Sequence, residues 1–191
     1  MERQYKQVIF NSIFKFFSQL DAKYWSGFLG QVPTDIWSRI YTLFLRMAGA
    51  KIGKGSIVHC RVKIWRPENI EIGKGVRIPA STDMAGMGKI KIGDYSLIGA
   101  SVSFITNNHP LEDKQLSWQE VLIGTQQNIT VGKFCWLMND TKLIAGRDGL
   151  KISDFSWIAA GSAVMKNINQ AELWGGSPAK FIRKVHPRHE K

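Results

Sequence analysis

The residue of this chain best suited to acid–base chemistry is a histidine in a polar stretch. His109 follows Asn107 and Asn108 and precedes Pro110 in the run FITNNHPLEDK. Near neutral pH an imidazole can take a proton from an alcohol hydroxyl, which by itself is a weak nucleophile. Polar loops also contain histidines that do no chemistry. The residues alone therefore leave two interpretations of His109, a general base or an ordinary loop residue.

The element that must position His109 is a repeat. From Ile52 onward aliphatic residues or Phe recur every six residues, and mostly small or β-branched residues follow four positions after them. Such a unit forms one flat side of a solenoid coil, and three units close a triangular turn whose strands satisfy each other's backbone groups. The large residues are Ile52, Val58, Ile64, Ile72, Ile78, Ile92, Ile98, Phe104, Val131, Leu137, Leu143, Ile152, Ile158 and Val164. We expect a mainly β solenoid of about five coils.

Two insertions interrupt the six-residue repeat, and a separate region lies at each end of it. Residues 81–90 (STDMAGMGKI) hold small flexible residues and predict a loop between the second and third coils. Residues 106–130 form a longer excursion that carries His109, and excursions of that length are usually functional. We expect a helical region over 1–50, the solenoid over 51–170 and a separate tail over 171–191.

The first 50 residues predict two amphipathic helices. Apolar residues in YKQVIFNSIFKFFSQL fall on one side, and the helix in DIWSRIYTLFLRMAG can be capped by Thr34 or Asp35 and closed by Gly49. Both helices fit as covers over one end of the core. The alternative is that the helices lie in the interfacial plane of a membrane, where aromatic and Leu side chains insert and Lys and Arg side chains meet anionic lipid headgroups. The uncharged runs are shorter than the ~20 residues of a membrane span, and we expect no signal peptide.

The net charge and the positions of the two cysteines limit which partners and metals we expect. The formal charge of +11 favours anionic partners, but the basic residues are scattered and no nucleic-acid recognition motif is present. Cys60 and Cys135 lack the spacing of a metal site, so we expect no metal. Cys135 occupies a small inward position of the repeat, which is typical of a core thiol. The other histidines lie at a bend or in the basic tail, so His109 is the histidine whose role both interpretations leave open.

The repeat units resemble those of a known family. IGKGS, IGKGV, IGDYSLIGAS, VGKFCWLMND and ISDFSWIAAGSAV look like the hexapeptide-repeat acyltransferases. WGGSPAKFIRKV is similar to the closing motif of their galactoside, maltose and polysaccharide O-acetyltransferase branch. The resemblance covers residues 35–186 and implies a left-handed parallel β-helix with N-terminal helices and a protruding catalytic loop. It also implies assembly as a homotrimer.

This resemblance implies acetyl-CoA-dependent O-acetylation of a sugar hydroxyl. His109 matches the general base of the branch, which takes the hydroxyl proton while the oxygen attacks the thioester directly. Asn107 and Asn108 are the nearest candidates for orienting the carbohydrate acceptor or the imidazole, although Asn108 also fits an inward structural register. Asp83 is a further candidate for holding acceptor hydroxyls. The favoured acceptor is a surface polysaccharide (capsule, exopolysaccharide or O-antigen type) or its lipid-linked precursor, on the cytosolic side, where acetyl-CoA is made.

The coenzyme A positions of the family carry over to the last coils and the tail, in a groove between neighbouring trimer subunits. The matching residues are Asn139, Ala160, Met165, Lys180 and Arg183, with Ala159, Gly161 and Ser162 as small residues that permit close approach and Lys166 as an additional candidate. The basic members suit the phosphates of the nucleotide end.

Two other functions remain open from the sequence. N-acetylation of a nucleotide-linked amino sugar is the nearest enzymatic alternative, although members of that class generally have a different N-terminal domain and lack the SPAK tail. A non-catalytic solenoid scaffold would keep the coils without binding coenzyme A or depending on His109.

Overall fold

The structure, a computed structural model, describes residues 34–84, 86–109 and 117–186. Across these ranges three sheets run along the chain, and each coil contributes one strand to each sheet in turn. We call the sheets face A, face B and face C in chain order. The first predicted helix, within residues 1–33, lies outside the described residues, as does Pro110.

The strands are short and their bounds follow the repeat. Face A contains β1 (Lys51–Ile52), β4 (Ile70–Ile72), β7 (Ile90–Ile92), β12 (Ile129–Val131) and β15 (Leu150–Ile152). Face B contains β2 (Ile57–Val58), β5 (Arg77–Ile78), β8 (Leu97–Ile98), β13 (Trp136–Leu137) and β16 (Trp157–Ile158), followed by β18 (Glu172–Gly176) and β19 (Ala179–Lys184). Face C contains β3 (Lys63–Ile64), β6 (Asp83–Met84), β9 (Ser103–Ile105), β14 (Lys142–Ile144) and β17 (Ala163–Val164). The predicted parallel β solenoid of five coils is confirmed.

Large side chains stack inside the coils in register. On face C, Ile64 pairs with Met84, and Phe104 pairs with Leu143, which in turn pairs with Val164. All five are buried. Burying each such side chain contributes about 1.5–3 kcal/mol, so these columns are the main stabilising contact between coils.

Buried small residues at the corners of the coils form hydrogen bonds that join successive coils. The Ser96 hydroxyl donates to the Gly132 carbonyl (2.8 Å) and accepts the Cys135 backbone N–H (3.1 Å). Only a short side chain can reach both groups within the coil wall. Gly73 marks a closer approach, because a Cβ there would lie 2.6 Å from the backbone nitrogen of Asp94 in the next coil.

The predicted loop over 81–90 is wrong for its first part. Asp83–Met84 forms β6, which lies between β3 and β9 in face C. The Met84 side chain is fully buried in the face C column. The period was missed there because a methionine replaces the aliphatic residue.

The second predicted helix is confirmed as α1 (Thr34–Met47), and it covers the open end of the first coil. Its buried Tyr41 donates a hydrogen bond to the Val62 carbonyl (3.0 Å), and Thr42 accepts the Val58 N–H (2.9 Å). Gly49, at φ +106°, follows the helix as predicted. A 3-10 turn at Pro67–Asn69 joins the first two coils. Within the described ranges, no helix is long and apolar enough to cross a membrane.

The excursion that carries His109 leaves the solenoid at the end of β9. Its described part comprises β10 (Asn107–Asn108), α2 (Trp118–Ile123) and β11 (Thr125–Gln126). β10 and β11 pair antiparallel, so both ends of the excursion meet as a hairpin at the edge between faces C and A.

Candidate active site

The hairpin that presents His109 is anchored by a buried threonine. The Thr106 hydroxyl accepts the Gly88 N–H (3.1 Å), and its carbonyl accepts the Gln127 N–H (2.7 Å). The Thr106 side chain is fully buried. These bonds tie both strands of the hairpin to the coil wall, so His109 directly follows a fixed strand.

The orientation of the His109 ring determines which nitrogen can act as a base. Its Nδ1 lies 2.8 Å from the carbonyl oxygen of Val121 in α2. A carbonyl oxygen only accepts hydrogen bonds, so Nδ1 carries the hydrogen and Nε2 keeps its lone pair. Because His109 is exposed, a substrate hydroxyl can approach that lone pair. In the neutral form of the ring, this geometry leaves Nε2 as the nitrogen that can accept a proton.

Gly124 allows α2 to pass closely beside the imidazole. Its φ is +71°, and a Cβ there would lie 2.9 Å from the Asn108 carbonyl oxygen and 3.1 Å from the His109 ring. Neither Gly124 nor the Val121 carbonyl was predicted from the sequence. The glycine was visible in the run LIGTQQ, but nothing local indicated that it would meet the histidine.

Both asparagines beside His109 are exposed, and both hold the backbone. Asn108 accepts the His109 N–H through its side-chain oxygen (2.9 Å), and Asn107 accepts the Met87 N–H (3.2 Å). The inward register suggested for Asn108 is wrong, because the chain leaves the coil after β9 and Thr106 takes the buried position.

Asp83 lies on the outer side of face C. In register it lies between Lys63 of the first coil and Ser103 of the third. Ser103 begins the strand from which the His109 hairpin leaves. Asp83 is therefore one coil away from the start of that hairpin.

Three of the predicted coenzyme A residues line one groove at the C-terminal end of the coils. Met165, Lys166 and Lys180 surround a groove of about 490 Å³. The other lining residues are Trp174, Pro178, Ala179 and Phe181. The rings of Trp174 and Phe181 meet edge to face with centroids 6.5 Å apart. These two aromatic residues were not among the predicted site residues, although they belong to the WGGSPAKF motif.

Asn139 and Ala160 lie on successive coils at the edge between faces B and C. The Gly161 N–H donates to the Asn139 carbonyl (2.9 Å), and the Asn139 side chain accepts the Ala100 N–H (3.0 Å). Met165 instead follows β17, at the edge between faces C and A, which also carries the His109 hairpin. The predicted residues therefore fall on both edges of face C.

The remaining predicted positions differ in accessibility. Ala159 is half-buried, whereas Arg183 is exposed on β19 and donates to the Lys184 carbonyl (3.0 Å). The side chain of Ser162 is fully buried and donates to the Ala159 carbonyl (2.6 Å). It also accepts the Gly176 N–H (3.1 Å), so it joins the last coil to the tail.

The thiol of Cys135 belongs to the core, as its register predicted. Burial raises the pKa of the Cys135 thiol to about 11, which leaves little thiolate at neutral pH. Among residues 34–84, 86–109 and 117–186, no three His, Cys, Asp or Glu side chains form a group that could hold a metal ion.

Comparison with known proteins places this site in a family context. The chain is 28% identical to the putative colanic acid biosynthesis acetyltransferase WcaF of Escherichia coli K12 over 139 residues, which are 73% of this chain and 71% of WcaF. It is 27% identical to the galactoside O-acetyltransferase of the same organism over 139 residues, covering 73% of this chain and 66% of that enzyme. No family model matches the chain.

The fold agrees with that of solved structures. The hexapeptide-repeat acetyltransferase VCA0836 of Vibrio cholerae, solved with acetyl-CoA, has a TM-score of 0.73 and 23% identity, and the match covers 98% of this chain and 91% of that one. Sequence relatives and coil architecture agree: the chain is similar to acetyltransferases of the hexapeptide-repeat type and has their left-handed parallel β-helix fold.

Proposed function

We propose that the protein is an acetyl-CoA-dependent O-acetyltransferase acting on a sugar hydroxyl of a surface polysaccharide or its lipid-linked precursor. One observation carries the chemistry: the Val121 carbonyl holds the hydrogen of His109 on Nδ1 and leaves Nε2 as an accessible base. The name of WcaF, a colanic acid biosynthesis acetyltransferase, supports a polysaccharide acceptor.

The proposed reaction is a direct transfer. His109 Nε2 takes the proton of the acceptor hydroxyl as its oxygen attacks the thioester carbonyl of acetyl-CoA. The tetrahedral intermediate then breaks the carbon–sulfur bond, and the departing thiolate receives the proton from the imidazolium. The products are the acetyl ester and free coenzyme A. The Cys135 thiol is buried, so it does not provide a covalent intermediate.

The coenzyme A site combines residues from both edges of face C. Lys166, Lys180 and Arg183 are exposed cations suited to the phosphates, and Met165 lines the groove together with Lys166 and Lys180. Asn139 and the backbone at Ala159, Ala160 and Gly161 lie at the other edge, between faces B and C. Neighbouring subunits of a homotrimer would bring one edge of each chain against the opposite edge of the next.

The acceptor side of the site lies at the hairpin. Asn107 and Asn108 hold the backbone around His109, so we assign them to positioning the imidazole as well as the acceptor. Asp83 is the acidic residue proposed to accept hydrogen bonds from acceptor hydroxyls, because it is exposed on face C one coil before the hairpin begins. The reaction takes place on the cytosolic side, with the N-terminal segment as a contact to the membrane.

The test compares His109→Gln with His186→Gln, since His186 is an exposed histidine outside this site. We expect His109→Gln to lower the rate of coenzyme A release from acetyl-CoA about 10²–10⁴-fold while coenzyme A binding is retained. His186→Gln should keep the native rate. O-acetyl signals in the proton NMR spectrum of surface glycan from producing cells should be lost in parallel with the activity.

Each other outcome of this test identifies a different function. If the product is an acetyl amide on a nucleotide-linked amino sugar, the reaction is N-acetylation and not O-acetylation. The structure of the N-acyltransferase AntD of Bacillus cereus, with a TM-score of 0.56 and 18% identity, shows that such enzymes use this fold. If the native protein does not bind coenzyme A and His109→Gln has no effect, the chain is a scaffold and the proposal is wrong.

A further inference from the structure

The helix that covers the first coil is apolar on two sides. Ser38, Tyr41, Thr42 and Leu45 of α1 face the coil and are buried. A second row faces outward, and its four side chains, which are 45% to 74% exposed, follow the spacing i, i+4, i+7, i+11. The members of this row, which we call the outer stripe, are Ile36, Ile40, Leu43 and Met47. Covering the coil requires only the inner row, so the outer stripe needs another explanation.

Although basic residues are scattered along the whole sequence, the net positive charge is concentrated at the same end of the molecule. Residues 34–66, which form α1 and the first coil, contain seven Lys or Arg and one Asp. Residues 67–186 contain thirteen Lys or Arg and eleven Asp or Glu, so this longer part is nearly neutral. Within the described residues, Arg39, Lys54 and Lys63 have no carboxylate partner. Exposed Trp65 lies on the same coil.

We propose that the outer stripe and the surrounding basic residues dock the protein on an anionic membrane surface. Apolar side chains on one side of a helix enter the headgroup region, while neighbouring Lys and Arg meet anionic lipids, and Trp favours the same boundary. Charge argues against two other occupants. A second copy docking through the same end would bring two strongly basic ends together, and residues 1–33, with four basic and two acidic residues, are not acidic either.

This docking gives the β-helix a defined orientation. α1 would lie on the membrane, and the coils would rise from it with the C-terminal groove at the far end. The His109 hairpin leaves the third coil. One helix layer and two coil spacings place that coil roughly 20 Å above the membrane. The sugar of a lipid-linked acceptor can span such a height; this last step rests on the proposed function, whereas the membrane contact does not.

The test uses the full chain and vesicles of phosphatidylcholine alone or with about 30 mol % phosphatidylglycerol, which provides anionic charge. Leu43→Glu is compared with Leu97→Glu, because the two leucines are similarly exposed (56% and 61%) and lie on α1 and face B. We expect the native protein to co-sediment with the anionic vesicles and not with the neutral ones. Leu43→Glu should weaken this binding at least tenfold, and Leu97→Glu should leave it within twofold.

Three results would overturn the proposal. Equal effects of the two substitutions would mean that the outer stripe is not the docking surface. A fall in melting temperature for Leu43→Glu as large as for a core substitution would mean that the chain itself covers the stripe. A smaller assembly in Leu43→Glu would mean that another copy covers it. Acetyl transfer to a soluble acceptor should be unchanged in Leu43→Glu, which separates failure of the docking proposal from failure of the proposed function.

Discussion

The two ends of the β-helix share one backbone repeat but carry different side chains at the edge between faces A and B. This edge has a positive φ in every coil, and glycine occupies it in the first two coils, at Gly55 and Gly75. Tyr95, Phe134 and Phe155 occupy it in the last three coils and stack with centroids 5.5 and 5.3 Å apart. A left-handed backbone costs a non-glycine residue about 1–2 kcal/mol, and aromatic stacking of about 0.5–1.5 kcal/mol per pair offsets part of this cost.

The ends also differ in what their outer surfaces offer. The first coil and α1 are basic and carry the outer stripe, whereas His109 and the groove at Lys180 belong to the third coil and the tail. The repeat therefore specifies the interior and leaves the outside free to differ. The N-terminal end is suited to a surface contact, and the candidate site residues lie from the middle coil to the C-terminal tail.

The largest predicted difference between the ends concerns two glycines. In Gly73→Ala the new Cβ would lie 2.6 Å from the Asp94 backbone nitrogen, and neighbouring backbone cannot yield easily. We expect a loss of about 1–3 kcal/mol in the free energy of unfolding. A Cβ added at Gly146, between the last two coils, would have no atom within 4 Å. Gly146→Ala should be neutral or stabilising by up to about 1 kcal/mol, because it reduces the entropy of the unfolded chain. Urea unfolding of both variants gives the comparison, and equal losses would contradict it.

A smaller difference is expected between two carboxylates. Glu172 at the C-terminal end is buried and accepts hydrogen bonds from Lys184 and Trp174, both at 2.8 Å. Lys184 first, and then Trp174, hold the pKa of the Glu172 carboxyl below its ordinary value. Glu71 at the N-terminal end is more accessible, although Lys89 and Lys51 also lower its pKa. Glu172→Gln should cost about 1–2 kcal/mol and Glu71→Gln less, because water screens the accessible pair.

The pH dependence of unfolding tests the role of the buried carboxylate directly. A lowered folded-state pKa means that Glu172 stabilises the native state above the ordinary glutamate pKa, and that this contribution is lost as the pH falls through the lowered value. Below about pH 4 the stability of the native protein should therefore decline more steeply than that of Glu172→Gln. Parallel declines in melting temperature would contradict the assignment.

The smallest predicted effect compares a lysine of the C-terminal groove with an exposed lysine on face A. On the proposed function, Lys180→Ala removes a cation from the coenzyme A phosphates and should raise the KM for acetyl-CoA about tenfold with little change in kcat. Lys91→Ala, an exposed lysine of β7 on face A, should leave both constants unchanged. Steady-state kinetics at several acetyl-CoA concentrations distinguishes the two variants. A tenfold effect from both would indicate long-range charge rather than contact.

Prediction from the sequence was strong for the repeat and weak where the chain leaves it. Cys135 and Leu143 were assigned to the interior from spacing alone, and both are buried. The spacing missed Met84, because a methionine stands where the repeat usually has an aliphatic residue. It wrongly placed Asn108 inside, because the six-residue period was extended past the end of β9. A period predicts structure only while the coil continues, because the next inward position exists only if the backbone keeps turning.

The choice of His109 as the catalytic candidate needed the family resemblance as well, but the coil interior and the helix that closes it followed from residue type and spacing alone. Both are local quantities that can be read along the chain. Four features emerged only in three dimensions: the ring nitrogen that is free, the meeting of Gly124 with His109, the groove wall at Trp174 and Phe181, and the choice of which side of α1 meets the first coil. These features depend on contacts between segments distant in sequence, and no local spacing encodes such contacts.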